Sequence, residues 1–318
     1  MIFSTLDDLF EALPEAEFIG NSRSLRRSIR EISTDTRTIG SKSVFLALHG
    51  ENFDGHDYLK EAAKKGAQGA IVSRNPFGRR TPPLPLLVVR DTLEAYGRLA
   101  GLHRASFSMP IVAVAGSVGK TGTKEMLAAI LATKYRVLKT PKNLNNRIGV
   151  PATLFALEKK HEVAVIEIGT NRPGEIAILS RILDPTHGVI TNIGAEHLEL
   201  LKSIEGVARE EGALFVHLER NGGTPFVNIE DEMLRGMRKD LTRGVSFGRT
   251  KRADYQVKIG RLDEQGAPAI EIIEHGRKKE RSLSVQLRTP GRHTAMNAVA
   301  AAAIGLRLGV SPTKIAGV

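Results

Sequence analysis

The chain has 318 residues, 41% of them hydrophobic and 25% charged, with a formal net charge of +11 at pH 7. This length and balance are ordinary for a globular protein with room for two domains. The absence of cysteine excludes disulfides and thiol chemistry, and the chain has neither an apolar signal core at its N-terminus nor an apolar run of membrane-spanning length, which favours a cytoplasmic location.

The positive charge is compatible with two kinds of partner, nucleic acids and anionic small molecules. Its basic residues are dispersed along the chain rather than gathered in one tract. There is no Trp, and 11 Phe and 4 Tyr provide few platforms on which bases could stack. We therefore expect a phosphate-bearing substrate and no nucleic acid.

The N-terminal 107 residues are predicted to form a small α/β unit. Asn75 to Pro85 is rich in proline and is predicted to be a loop, and Met109-Pro110 marks the boundary. The predicted strands of this unit are 41–48, 69–73 and 86–90, and its predicted helices are 56–65 and 92–106.

From Ile111 onward short apolar strands alternate regularly with helices. This alternation predicts a parallel sheet covered on both faces. It is followed by an antiparallel meander within 254–288, an Ala-rich helix at 294–308 and a short helix capped by Ser311. The predicted strands are 111–115, 136–140, 163–169, 187–193 and 224–229, and the predicted helices are 119–133, 147–157, 174–183, 203–218 and 231–239.

The segment Gly116-Ser-Val-Gly-Lys-Thr121, here called the phosphate loop, connects the first of these strands to a helix. Strand, glycine turn and helix N-terminus is the context in which backbone N–H groups and a lysine bind phosphates. The general pattern requires a glycine at position 114, where this chain has Val, so the loop is a shortened form. The alternative is a surface turn that caps a helix.

Polar residues follow several of the predicted parallel strands, and such strand ends meet at one edge of a sheet, where ligands bind. Glu167 is the clearest candidate among them, because burying an acid within an apolar strand costs free energy unless the acid is paired or binds a metal. An ion-paired Glu is the alternative. His197 is a weaker candidate, since most single histidines are at the surface or hydrogen-bonded.

Five segments together resemble the Mur ligase family, and the resemblance covers nearly the whole chain. Residues 33–37, 43–48 and 51–57 also match the first domain of such ligases. The five segments are the phosphate loop, 140–151, 167–176, 192–199 and 290–298.

The resemblance implies an α/β fold with two parts. Residues 1–107 would form a small N-terminal UDP-binding domain, and residues 108–318 a P-loop parallel-sheet ATPase domain with a short antiparallel β meander. The family also has a third, Rossmann-like domain, which nothing in this chain matches. We therefore expect little or no ligation by this chain alone.

The resemblance further implies a reaction. ATP would phosphorylate the terminal carboxylate of UDP-N-acetylmuramoyl-tripeptide, and the amine of D-alanyl-D-alanine would attack the acyl phosphate to form a peptide bond. The expected cofactors are ATP and two Mg²⁺ ions, and a monomer is expected. The alternatives are another Mur-type ligase, such as one that adds the third peptide residue, or a nucleotide- or nucleic-acid-binding module without ligase activity.

Residue roles follow from the same resemblance. The expected catalytic residues are Lys120, Glu167, His197 and Glu211, and the expected metal ligands are Thr121, Glu167 and His197. The expected nucleotide-binding residues are Gly116, Ser117, Val118, Gly119, Lys120, Thr121, His293 and Asn297. The expected substrate-binding residues are Ser33, Asp35, Thr36, Arg37, Asn52, Phe53, His56, Asn145 and Asn146.

Three further residues have open alternatives. Helix capping is the alternative for Asn145 and Asn146. Many family members carry a carbamylated lysine where this chain has Glu211, and we hypothesise that the Glu211 carboxylate takes its place near the second metal. A solvated helix Glu is the alternative there.

Overall fold

The computed structural model describes residues 1–50, 53–276 and 281–318. The chain divides into two compact units, residues 1–107 with 154–158 and residues 108–153 with 159–318. No helix in these described ranges is both long enough and apolar enough to cross a membrane.

The first unit is built on a five-stranded sheet with the order β1-β7-β6-β3-β2, in which only β1 runs antiparallel to its neighbour. β4 and β5 form a separate antiparallel pair. The strands are β1 (Glu17–Ile19), β2 (Glu31–Ser33), β3 (Ser43–Leu46), β4 (His49–Gly50), β5 (Phe53–Asp54), β6 (Gly69–Val72) and β7 (Leu86–Val88), and the helices are α1 (Leu6–Ala12), α2 (Leu59–Lys64) and α3 (Thr92–Ala105).

Both faces of this sheet are covered, as the apolar strands require. Val44 and Leu46 of β3 pack with α1 and α3, whereas Phe45 between them packs with α2 on the opposite face. Alternate residues of a strand point to opposite faces, so one apolar run serves two cores. The sequence analysis did not predict α1, β1 or β2.

The second unit contains a nine-stranded sheet with the order β16-β15-β14-β13-β12-β11-β8-β10-β9. Its strands are β8 (Ile111–Ala115), β9 (Val137–Lys139), β10 (Val163–Glu167), β11 (His187–Ile190), β12 (Thr224–Asn228), β13 (Val245–Gly248), β14 (Tyr255–Leu262), β15 (Pro268–Glu274) and β16 (Arg281–Gln286). Its helices are α4 (Lys120–Ala132), α5 (Gly149–Phe155), α6 (Glu175–Leu183), α7 (Leu198–Leu201), α8 (Ile204–Arg220), α9 (Glu232–Met237), α10 (Thr294–Arg307) and α11 (Pro312–Ala316).

The predicted α/β class, with a parallel sheet and an antiparallel meander, is confirmed. β13 was not predicted, and it runs parallel to both β12 and β14. Because it lies between the parallel strands and the meander β14–β16, the meander continues the parallel sheet instead of forming a separate layer.

α4 and α10 pack together over one face of this sheet. The alanines of α10 are buried in the same core as Val112 and Val114 of β8. Gly305 of α10 has no side chain where Ile130 of α4 approaches: an added Cβ would lie 2.6 Å from Ile130 Cγ2. This packing fixes α4, whose first turn contains Lys120 and Thr121 of the phosphate loop.

Candidate active site

The phosphate loop has the geometry that its sequence predicted. It leaves β8 at Ala115, and α4 begins at Lys120. Gly116 and Gly119 have φ values of +112° and +88°, in the left-handed region that favours glycine. A Cβ on Gly116 would lie 2.4 Å from Thr191 Oγ1, and one on Gly119 would lie 2.7 Å from Asn297 Oδ1.

The segment that follows β11 holds this loop in place. The backbone N–H of Val118 donates to Asn192 Oδ1 at 2.9 Å, and Gly194 N donates to Ser117 Oγ at 2.8 Å. Two strand ends predicted to meet at one sheet edge therefore do so. The half-buried Lys120 ammonium donates to the carbonyls of Gly116 and Ser117, which keeps a positive charge on the loop.

Glu167 stands at the end of β10 and is 2% exposed. Its Oε2 accepts from Thr121 Oγ1 at 3.0 Å, and its Oε1 accepts from Asn145 Nδ2 at 2.9 Å. The Lys124 ammonium lies 3.5 Å from Oε2. The buried carboxylate is therefore both hydrogen-bonded and paired.

The sequence analysis missed Lys124, which it treated only as part of a helix. It follows Lys120 by four residues, one turn along α4, and its side chain is fully buried. That spacing was the available signal, because it places a second lysine on the same helix face as the phosphate-loop lysine.

Thr121 and Glu167, which were predicted to hold the metal at the ATP phosphates, lie in contact, whereas His197 was predicted to hold a second metal. The Thr121 hydroxyl and the Glu167 carboxylate are oxygen ligands of the kind that Mg²⁺ prefers, and they are already in contact. His197 precedes α7 with φ +49° and is exposed. In the described part of the chain, the His197 ring has no hydrogen bond to Thr121 or Glu167. Among the same residues, no group of three or more His, Cys, Asp or Glu side chains is arranged to hold a metal.

Glu211 lies beneath the phosphate loop. Its fully buried side chain, on α8, accepts from the Gly116 N–H at 2.9 Å through Oε2. Burial raises the pKa of Glu211 to about 7, against the lowering effects of Lys120 and of the Gly116 hydrogen bond. Oε1 of Glu211 and Oε1 of Glu196 are buried without hydrogen-bond partners. Glu211 is therefore not a solvated helix residue.

The two residues expected on the nucleotide side lie at the start of α10. Asn297 faces the phosphate loop, as its approach to Gly119 shows. His293 is exposed at the N-terminus of the helix and lines a pocket of about 490 Å³. The other lining residues are Arg249, Val257, Lys258, Ile259, Arg292 and Met296.

The loop of residues 140–146, which follows β9, contains Asn145 and Asn146. Asn145 binds Glu167 through its side chain and accepts from Gly169 N at 2.9 Å through its backbone oxygen. Asn146 Oδ1 accepts from Ile148 N at 3.0 Å and from Gly149 N at 2.9 Å. Its side-chain oxygen therefore caps the start of α5, the alternative considered for it.

In the first unit, residues 33–37 form what we call the acidic turn. Arg37 donates to both carboxylate oxygens of Asp35, at 2.9 Å from Nε and 2.7 Å from Nη2, and these bonds lower the pKa of Asp35 to about 2. The turn lines a pocket of about 460 Å³ beside Phe53 and Tyr58, whose rings stack at 5.2 Å. Within the turn, Asp35 N donates to Ser33 Oγ, and Thr36 is buried.

His56 does not offer its ring to a substrate as expected. The ring is buried, with Nδ1 2.6 Å from Asp54 Oδ1 and Nε2 accepting from Ser73 N at 3.0 Å. Since both ring nitrogens are engaged within the unit, the side chain holds the turn together. Asn52, predicted in the same turn, lies outside the described residues.

Comparison with protein families gives two matches along the chain. The description "Mur ligase family, catalytic domain" matches residues 28–103, and "Mur ligase middle domain" matches residues 114–305. The UDP-N-acetylmuramoyl-tripeptide--D-alanyl-D-alanine ligase of Bacillus subtilis (strain 168) is 34% identical over 289 residues, which are 89% of this chain and 60% of that protein.

Solved structures give the same result. MurF from Acinetobacter baumannii has a TM-score of 0.86 at 32% identity, over 99% of this chain and 67% of that one. The MurF ligase of Thermotoga maritima, solved in complex with ADP, has a TM-score of 0.80 at 27% identity, over 91% of this chain and 66% of that one. The chain belongs to the Mur ligase family.

Proposed function

We propose that this protein acts in the ATP-dependent joining of D-alanyl-D-alanine to UDP-N-acetylmuramoyl-tripeptide, a step of peptidoglycan precursor synthesis. The observation that carries the proposal is the contact of Glu167 with Thr121, the last residue of the phosphate loop, next to Lys120. The name of the relative from Bacillus subtilis, a UDP-N-acetylmuramoyl-tripeptide--D-alanyl-D-alanine ligase, supports this substrate pair.

The first step brings together two anionic groups that repel each other, a carboxylate and a triphosphate. The γ-phosphoryl group passes to the peptide carboxylate, giving ADP and an acyl phosphate. The amine of D-alanyl-D-alanine then attacks the acyl carbon, and phosphate leaves as the tetrahedral intermediate collapses. The N–H groups in the first turn of α4 and the Lys120 ammonium bind the phosphates, and the ammonium neutralises part of their charge during transfer.

The residues present fit a magnesium ion at the phosphates. Thr121 and Glu167 would hold it, and Asn145 keeps the Glu167 carboxylate oriented toward Thr121. When bound, Mg²⁺ supplies charge neutralisation for the transferring group. Because this metal takes most of its ligands from phosphates and water, it needs no cluster of protein carboxylates.

A second metal would lie nearer the substrate carboxylate, with His197 as a ligand. The unpartnered Oε1 atoms of Glu211 and Glu196 support a cation nearby, since buried carboxylate oxygens without donors are costly. Glu211 also fixes the Gly116 amide, so its proposed part in catalysis is to hold the phosphate loop and to supply a carboxylate near the second metal.

The first unit would bind the uridine diphosphate end of the substrate. The acidic turn offers the exposed Arg37 guanidinium for phosphate, and the Phe53–Tyr58 stack offers an aromatic face. His293 and Asn297 would contact the nucleotide on the adenine side. We propose a monomer acting in the cytoplasm, where ATP is available.

Calorimetric titration tests the proposal. The protein is titrated with UDP-N-acetylmuramoyl-tripeptide and, separately, with a non-hydrolysable ATP analogue with and without Mg²⁺. Both ligands should bind saturably, and the analogue should need Mg²⁺. Lys120→Ala should weaken analogue binding about 100-fold because a charged partner of the phosphates is lost. Lys134→Ala, an exposed lysine beyond the end of α4, is the matched control and should have no effect.

Binding, rather than turnover, is the primary measurement because the chain spans 60% of the length of its relative from Bacillus subtilis. Absence of nucleotide binding, or equal affinity in Lys120→Ala, would refute the proposal. Preference for the UDP-dipeptide over the UDP-tripeptide would instead indicate the third-residue-adding ligase. Salt-dependent binding to DNA in place of either ligand would indicate a nucleic-acid-binding module.

A further inference from the structure

Lys124 is a fully buried lysine that the reaction described above does not use. Burying an ammonium group costs several kcal/mol unless it is paired and all its protons are bonded. Its Nζ lies 3.1 Å from the Thr140 carbonyl, 2.7 Å from the Lys142 carbonyl, 3.2 Å from Glu125 Oε1 and 3.5 Å from Glu167 Oε2. The two carbonyls accept hydrogen bonds from the ammonium, and the two carboxylates are its ion-pair partners.

The two carbonyls belong to the 140–146 loop, which also carries Asn145. Lys142 has φ +51°, a left-handed conformation that costs a residue with a side chain about 1 kcal/mol or more. Its carbonyl makes the shortest of the Lys124 contacts given above. The ammonium therefore compensates for the backbone strain at Lys142.

The far end of the same loop returns to Glu167. Asn145 Nδ2 donates to Glu167 Oε1, and the Asn145 carbonyl accepts from Gly169 N just beyond β10. Lys124 thus contacts both the carboxylate and the loop whose Asn145 orients that carboxylate. A single side chain of α4 joins the element behind the phosphate loop to the segment on the proposed substrate side.

We propose that Lys124 is a positioning residue that fixes the 140–146 loop against α4 and thereby holds Asn145 on Glu167. The role of Lys124 in catalysis rests on the proposed function, which this inference extends to the support of Glu167. The main contacts are the two loop carbonyls, and the charge of Glu167 is a secondary partner because its distance is the longest. Removal of Lys124 should loosen the loop even when Glu167 is neutral.

Hydrogen exchange without any nucleotide tests this directly. In Lys124→Met, amides of the 140–146 loop should exchange at least about tenfold faster than in the wild type, while those of β14 are unchanged. Lys139→Met is the matched control, because Lys139 shares Glu125 as a partner but is half-exposed. In Lys139→Met, the amides of the 140–146 loop should exchange within about twofold of the wild-type rate.

The double variant Lys124→Met with Glu167→Gln separates two roles of Lys124. In one it holds the 140–146 loop through the loop carbonyls, and in the other it only compensates the charge of Glu167. It leaves no lone buried carboxylate, so it should fold even where the single variant does not. Fast exchange of the loop in this variant supports the proposal. Wild-type protection there would overturn it, as would equal loosening in Lys139→Met.

A second readout follows Asn145 itself by ¹⁵N-asparagine labelling, with Asn145→Ser to assign its side-chain amide signal. That signal should be protected in the wild type and should move to the position of a solvated amide in Lys124→Met. An unmoved signal would contradict the proposal. Neither readout needs ATP or substrate, so they are decided independently of the calorimetric test of the proposed function.

Discussion

The phosphate loop of the second unit and the acidic turn of the first unit hold their charges in opposite ways. Glu167, Glu211 and Lys124 are buried, and their positions are fixed by backbone amides, hydroxyls and carbonyls. In the acidic turn, Arg37 is 87% exposed and Asp35 is 35% exposed, and each is the other's main partner. Buried charges are therefore coupled to the fold, whereas exposed ones are available to a ligand.

Gly116→Ala tests the rigidity of the buried region and should produce the largest change in the free energy of unfolding. The new Cβ would meet Thr191 at 2.4 Å, and φ is +112°. Strain and overpacking together should lower the free energy of unfolding by about 4 kcal/mol. Urea unfolding followed by circular dichroism measures it.

Gly174→Ala is the matched control for that substitution. Its φ is +88°, but no atom lies within 4 Å of the added Cβ, so only backbone strain remains, about 1 kcal/mol. Equal losses in the two variants would show that the phosphate loop is not tightly enclosed.

Glu211→Gln should change how stability depends on pH. Because the pKa of Glu211 rises from 4.5 when unfolded to about 7 when folded, the folded state binds more protons between these values. Stability contributed by this group is therefore full below pH 4.5 and falls by about 3 kcal/mol as pH rises to 7. Gln keeps an acceptor for Gly116 N and has no charge to bury.

The measurement is urea unfolding of both proteins from pH 4.5 to pH 8. The variant should gain stability relative to the wild type as pH rises through this window, and parallel curves would contradict the raised pKa. Saturating Mg²⁺ and nucleotide should reduce the difference if a cation near the Glu211 carboxylate stabilises its charge.

His56→Gln tests a side chain that sequence analysis assigned to substrate binding and the structure assigns to the fold. Losing one of its two buried contacts should lower the free energy of unfolding by about 2 kcal/mol. The affinity of the folded protein for UDP-N-acetylmuramoyl-tripeptide should stay within about threefold of the wild type, since the ring is enclosed. A large loss of affinity without loss of stability would restore the original assignment.

The same contrast explains what the sequence could and could not predict. The phosphate loop and Glu167 were predictable because both belong to apolar strands. A glycine directly after such a strand, or an acid within it, stands out in the sequence. β13 was missed because its few residues carry only Val245 and Phe247 as strand-forming apolar groups. The capping role of Asn146 and the contacts of Lys124 depend on where a loop folds back, which residue spacing does not encode.

Asp35→Asn should have the smallest effect on the fold and so completes the comparison. The Asp35–Arg37 pair is exposed, and such pairs add little to stability, so the urea midpoint should not change measurably. Affinity for UDP-N-acetylmuramoyl-tripeptide should fall about tenfold, because Arg37 loses the carboxylate that orients it toward a phosphate. Glu15→Gln, an exposed acid of the same unit, is the control and should leave affinity unchanged. If Asp35→Asn instead destabilises the unit and leaves affinity intact, the acidic turn is a structural element, and the contrast with the phosphate loop fails.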